Sequence, residues 1–224
     1  MQTLPALSLL ETRVLGVLVE KQHTVPDSYP LTLNALVSGC NQKTSRDPVI
    51  EASEAEVQST VDRLKSLSLV VESSGGRVMR YAQNVGKVLG VPPQSVALLT
   101  VLFLRGPQTA GELRINSDRL HKFGDILSVE AFLNELAERK EGALVVELAK
   151  VPGARETRWA HLLSGQPIIP VQTGIQAAAS PSGDVSVSEL AAMRAQIDRL
   201  EAEVASLREI VARLSRALGE PSGQ

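Results

Sequence analysis

The sequence is short of the residues on which many functions depend. It holds one cysteine, Cys40, so an intrachain disulfide and a multi-cysteine zinc or iron–sulfur site are both excluded. Aromatics make up 3% of the chain, which leaves an aliphatic core and argues against broad stacking platforms for single-stranded nucleic acid. The longest near-apolar run, Val96 to Leu104, falls far short of the roughly 20 residues that a membrane span needs. Glu11 and Arg13 interrupt the apolar N-terminus, so no secretory apolar segment is visible. An excess of charge is also missing: 23 Lys/Arg face 25 Asp/Glu, for a net charge of −2. Residues 1–90 and 91–165 are each balanced, and residues 166–224 carry the whole excess. No segment has the basic footprint of a nucleic-acid binder. A reduced, cytoplasmic protein with no membrane contact is expected.

Chemical motifs are absent as well. The chain contains no phosphate-binding glycine loop and no nucleophile elbow. His23, His121 and His161 are far apart and lack metal-ligand spacing. Cys40 stands near the end of a short helical pattern among apolar residues, the setting of a small core residue rather than a nucleophile. The expectation is a protein without catalytic residues, metal or cofactor.

What is present is ordinary globular usage, 43% apolar and 21% charged, arranged as a repeat. Ser53 to Val57 and Leu69 to Glu72 align with Ser128 to Phe132 and Leu144 to Glu147 at one offset of 75. Arg80-Tyr81-Ala82 matches Arg158-Trp159-Ala160, and Pro30-x-Thr32-x-x-x-Leu36 matches Pro107-x-Thr109-x-x-x-Leu113. Their common order points to a tandem duplication. In the first copy, Ser8 with Glu11 and Ser53 with Glu56 have capping-box spacing, and Thr32 is positioned as an N-cap. Helices are therefore predicted after Ser8, Thr32 and Ser53. A hairpin follows, from Leu69-Val70-Val71 through Gly75-Gly76 to Val78–Tyr81. The second copy repeats this with helices around Val96–Leu104, Thr109–Leu113 and Ser128–Arg139 and a hairpin from Leu144 to Leu162. Tyr81 and Trp159 are expected to pack each hairpin on its helices. Gln22 to Tyr29, absent from the second copy, reads as a rigid loop between helices, packed between the repeats.

Three helices and a hairpin are the order of a winged-helix domain. The predicted fold is thus mainly α with small antiparallel β-wings: winged-helix domains at 1–90 and 91–163, a flexible linker at 164–188, and a coiled coil at 189–219. The coil rests on heptads. Leu190, Ile197, Val204, Val211 and Leu218 form one seam, and Met193, Leu200, Leu207 and Leu214 the other. β-Branched residues in the first seam and leucine in the second favour a parallel pair, as do Glu189 with Arg194 and Glu203 with Arg208 at interchain spacing. A homodimer is expected.

The stretches Pro26 to Asn34 and Cys40 to Pro48, with Gly106 to Leu113 and Arg119 to Phe123, resemble the YceH family of uncharacterised bacterial proteins. The resemblance covers residues 8–163 and implies a tandem winged-helix fold without an established activity.

Two functions fit this architecture. In the first, a dimer reads duplex DNA as a transcriptional regulator. The third helix would enter the major groove and the wing would touch phosphates. Lys43, Thr44, Ser45 and Arg46 precede that helix, Gln58, Ser59 and Arg63 lie on its polar side, and Arg77 and Arg80 stand on the wing. Glu51, Glu54 and Glu56 at the start of the same helix oppose this, because they would repel phosphates held close. In the second, the winged helices form a protein-interaction scaffold of the chromosome-condensin accessory, ScpB-like, type. Gly106 to Leu113 and Asn116-Ser-Asp118 resemble the second domain of that family over a short span. Fold alone does not choose between these functions.

Overall fold

The Ser8 hydroxyl accepts the N–H of Glu11, and the Glu11 carboxylate accepts the N–H of Ser8 at 2.6 Å. This reciprocal cap satisfies two amides that a helix start leaves free, and it opens α1, Leu9–Thr24. The computed structural model describes residues 4–73, 78–150 and 153–167. After α1, a 3-10 turn at Pro26–Ser28 leads to the short strand β1, Leu31–Thr32, and α2, Leu33–Cys40, capped by Thr32. Ser53 and Glu56 form a second capping box for α3, Glu54–Ser66, which buries Val57, Val61 and Leu64. Strands β2, Val70–Ser73, and β3, Arg80–Gln83, pair antiparallel with Glu72 opposite Tyr81. β1 pairs with the other edge of β3, Leu31 opposite Tyr81, to give the order β1-β3-β2.

A short helix, α4, Val85–Leu89, follows. The element order then repeats: α5, Pro93–Arg105; α6, Ala110–Asn116, capped by Thr109; α7, Ile126–Ala137; β4, Val145–Glu147; and β5, Trp159–His161. β4 and β5 pair antiparallel, and Gln108 bridges to Trp159 where β1 pairs with β3 in the first half. The described residues are thus mostly helical with small antiparallel sheets, a winged-helix-like α/β arrangement. Tyr81 and Trp159 are both buried, as their matched positions require.

The constant offset of 75 fails on the third helix. Its N-cap is Asp125, not Ser128; the Ser128 hydroxyl sits at N3 and Asp125 accepts its N–H at 2.7 Å. The buried triplet Val129, Leu133 and Leu136 therefore answers to Val57, Val61 and Leu64. The first strand of the hairpin does keep the offset of 75, since Val145 answers to Val70, while Trp159 answers to Tyr81 at 78. Residues beyond the α7 C-cap, Glu138 to Leu144, take up the difference between helix and strand. On the helix an offset of 75 would instead bring Phe132, Leu136 and Arg139 to the places of Val57, Val61 and Leu64, and only the earlier triplet is apolar throughout.

The two halves share a core within one compact unit. α1 packs against α5 at Gly16: a Cβ there would lie 2.8 Å from the Leu104 side chain. Gly39 does the same for α2 on α1, since a Cβ there would lie 2.5 Å from Val17 Cγ1. Backbone bonds from Asp47 N–H to Leu104 O at 2.8 Å and from Leu7 N–H to Leu163 O at 2.7 Å join the halves directly. Within the segment 22–29, Thr24 lines a groove shared with the second half. Gln22 to Thr24 extend α1, and the rest lies along its own sheet. Arg80 donates to Ser28 O and Pro30 O, and Gln83 N–H donates to the Tyr29 hydroxyl at 2.7 Å. Arg77, the Gly75-Gly76 turn and the heptad seam lie outside the described residues.

Candidate interaction surfaces

The basic residues expected to meet DNA are drawn in different directions. Arg46 is a correction: its side chain is fully buried, not on the surface. Both terminal nitrogens bond the Glu20 carboxylate, at 3.1 and 2.6 Å, and Nε donates to Gly39 O at 3.3 Å. This fork ties the loop after α2 to α1, and a guanidinium so held has no donor pair left for a phosphate. Arg46 also holds the Glu20 carboxyl below the usual carboxylate range, against burial, which acts the other way and is the largest influence.

Arg13 makes a second internal anchor nearby. It is fully buried in α1 and donates to Cys40 O at 3.1 Å and Pro48 O at 2.6 Å, joining the end of α2 to the approach to α3. Burial lowers its pKa, and Arg46 adds repulsion. Cys40 is buried beside these groups, and burial pushes its thiol up to about 12. A thiol so protonated is a poor nucleophile. Arg13 was missed in the sequence because a cation in an apolar helical run looks like an interruption of the stripe.

On α3, Arg63 is half exposed, with Nε 2.8 Å from Oε1 of the buried Glu11. Gln58 donates to Asp62 and receives the Tyr81 hydroxyl, so its amide is committed locally. Ser59 is exposed and free of side-chain bonds among the described residues. Arg80 is spent on the carbonyls of Ser28 and Pro30. At the start of the helix Glu51, Glu54 and Glu56 are all exposed. Bonds from Ser53 hold the Glu56 carboxyl below its usual range, which keeps it charged.

Lys43, Thr44 and Ser45 remain exposed on the loop after α2. Ser45 has φ 59°, a left-handed conformation costly for a residue with a Cβ. Its hydroxyl accepts from Arg105 Nη2 at 2.8 Å. The loop thereby forms one wall of a groove of about 480 Å³ whose other walls are the end of α1, the end of α5, and α6 with the turn after it.

A second groove, of about 430 Å³, lies between α7 and its hairpin. Ala110, Ile126 and Trp159 supply its apolar lining; Glu130, Glu147 and Glu156 alternate there with Lys150 and Arg155. Leu127 next to it is 73% exposed, and Ile115 on α6 is 71% exposed. Sequence reasoning passed over Ile126 and Leu127. Their signal was two apolar residues placed directly before the periodic positions of α7, more than one face of a helix can bury.

Among the described residues no three His, Cys, Asp or Glu side chains are grouped as metal ligands, and no helix is long and apolar enough to cross a membrane.

Residues 7–154 match the model of a family described as "Protein of unknown function, DUF480". A UPF0502 protein of Dechloromonas aromatica (strain RCB) is 60% identical over 215 residues, covering 96% of this chain and 99% of its own. Another, of Paraburkholderia phytofirmans (strain DSM 17436 / LMG 22146 / PsJN), is 57% identical over 221 residues, covering 97% and 92%. The match spans the duplicated halves and includes the motifs around Pro26, Cys40 and Gly106. The chain belongs to the DUF480 family of uncharacterised bacterial UPF0502 proteins, in keeping with the YceH-type resemblance of those motifs.

Proposed function

We propose that this chain is a non-enzymatic scaffold: two winged-helix units in tandem that hold a protein partner through the second unit, on the groove between α7 and its hairpin. One observation carries the reading. Where a winged-helix protein would present a cationic helix and wing to a duplex, this chain presents a groove with an apolar lining and interspersed charges of both signs, beside the exposed Leu127. Such a surface suits a polypeptide with apolar anchors and mixed charges; a phosphate backbone would meet three carboxylates there. In the first unit the equivalent helix opens on exposed carboxylates, and Arg46, Arg63 and Arg80 already have partners. The heptad seam of residues 189–219, read from sequence alone, would pair two chains and so present two such grooves.

DNA reading by the dimer is the second proposal, favoured by the exposed Lys43, Thr44 and Ser45. A photo-reactive residue at position 127 or at position 54, in the full chain in its own cells, separates the two. The scaffold reading expects one defined protein cross-linked from 127 and none from 54, with duplex binding weak and blind to sequence. Enrichment of a palindromic duplex, with affinity falling steeply as salt rises, would overturn it.

A further inference from the structure

The groove between the halves has a chemistry that the scaffold reading does not use. Five charged residues line it: Lys21, Arg105 and Arg119 against Glu20 and Asp118. Glu20 is already held by both terminal nitrogens of Arg46 behind the wall, and Lys21 lies 3.2 Å from the same carboxylate. With Glu20 balanced by Arg46, three lining cations face the single carboxylate of Asp118. Neither Arg105 nor Arg119 pairs with a carboxylate among the described residues. Among the described residues Arg105 donates to the Ser45 hydroxyl alone, from Nη2. That bond fixes the guanidinium at the groove wall and leaves its other donors unfilled.

Two guanidinium groups without a carboxylate partner among the described residues, both lining one groove, match the planar, multi-donor recognition of a phosphoryl group. Thr44 and Asn116 also line the groove, the Asn116 amide donating to Gln108 Oε1 at 2.6 Å. Ser45 is held left-handed at the point where the loop meets Arg105. A strained non-glycine residue placed at a cavity is the kind of feature that ligand sites retain. The volume of about 480 Å³ falls within the range of small-molecule sites.

We propose that the groove bounded by α1, the loop after α2, α5 and α6 binds a small organic phosphate, its phosphoryl group held by Arg105 and Arg119. Because α1 and the loop belong to one half and α5 and α6 to the other, a bound ligand bridges the halves and stabilises their junction by linkage.

Titration of the full chain with pyrophosphate, followed by backbone amide NMR, tests this. Saturable shifts confined to residues around Ser45, Arg105 and Asn116 are expected, and Arg119→Gln should weaken binding about tenfold or more. Arg119 makes no side-chain bond among the described residues, so that variant should keep the wild-type melting temperature. Arg105→Gln should weaken binding similarly, while Arg155→Gln in the other groove should leave it unchanged. Shifts that do not saturate at millimolar pyrophosphate, or an affinity that R119Q and R155Q reduce equally, would overturn the site. Neither result bears on the partner cross-linked from position 127.

Discussion

The two halves repeat one order of elements and differ in what they do with charge. In the first, the cations are turned inward. Arg13 and Arg46 are buried, and they clamp the loops around α2 onto α1. In the second, no arginine among the described residues is fully buried: Arg139 donates to Leu89 O and Gly90 O and Arg158 to Pro107 O from partly exposed positions, and other charged residues stand around an open groove. The contrast recurs on the paired strands. Gln83, near the end of β3, is tied to Gln22 and to the N–H of Val85. His161, at the equivalent end of β5, is packed edge-on to Phe103 at 5.0 Å with its Nδ1 buried and without a partner. A duplicated fold can thus tie its helices with fully buried arginines in one copy and with partly exposed arginines and the buried Gln108 in the other.

The contrast breaks most sharply at Arg46. Replacing it with Ala removes four side-chain bonds and leaves Glu20 without its main counter-charge. Loss of one partner from a buried pair costs about 3–5 kcal/mol; because Glu20 keeps some access to water, the lower end, about 3, is expected. Thermal or urea unfolding of R46A should show this loss, whereas Lys43→Ala on the same loop should unfold with the wild type. A silent R46A would mean that the clamp contributes nothing.

A loss of similar size is expected in the second half with acid, through His161. Burial pulls its pKa down to about 4. The sign follows from the unfolded chain, in which histidine titrates near 6.5 and therefore binds its proton first. Stability is complete above pH 6.5 and falls as the pH drops toward 4, by about 3 kcal/mol in all. The carboxyl of Glu20, held low by Arg46, adds its own loss only at the bottom of this range. Between pH 6.5 and 5, then, wild type should weaken while His161→Leu stays flat. Equal slopes in the two proteins would show that His161 is not the titrating group.

The junction between the halves should respond less. Gly16→Ala places a methyl 2.8 Å from Leu104, an overpacking worth about 2 kcal/mol. The alanine returns about 1 through helix propensity, for a net loss near 1 kcal/mol. Unfolding should remain a single transition with a lower midpoint. Two separated transitions would show that the shared core does not couple the halves.

These comparisons also mark where the sequence was legible. Helix starts were readable because each depends on side chains within three residues: Ser8 with Glu11, Ser53 with Glu56, and Thr32. The matched aromatics Tyr81 and Trp159 were readable because a hairpin must seat one face on its helices. Arg46 was not, since its partner Glu20 is 26 residues away and an arginine in a polar loop has the same local pattern whether buried or solvated. The shifted register of α7 was hidden because the offset of the repeat points to Ser128 as the cap, whereas Asp125, three residues earlier, holds that place. α4 and β1 are too short to leave a periodic signal.

The smallest effect is expected at Arg63, and it is the most informative about function. Arg63 is 57% exposed while Glu11, its partner, is 3% exposed. Truncation of one member of a buried pair would be severe, but here the guanidinium is itself the lid over Oε1. In Arg63→Ala water takes its place at that oxygen, and Oε2 keeps its bond from the Ser8 N–H. The pair therefore behaves as a surface contact worth at most about 1 kcal/mol. R63A should fold with a nearly unchanged midpoint, unlike R46A, although both remove an arginine from the proposed DNA-facing side. Fluorescence anisotropy with a duplex at low salt can then be read without a stability correction. Unchanged weak binding is expected, because a cation already paired with Glu11 adds little to a phosphate contact. A large loss of affinity in R63A would return α3 to the reading of DNA, and the inward charge of the first half would have to be explained as the support of a recognition helix.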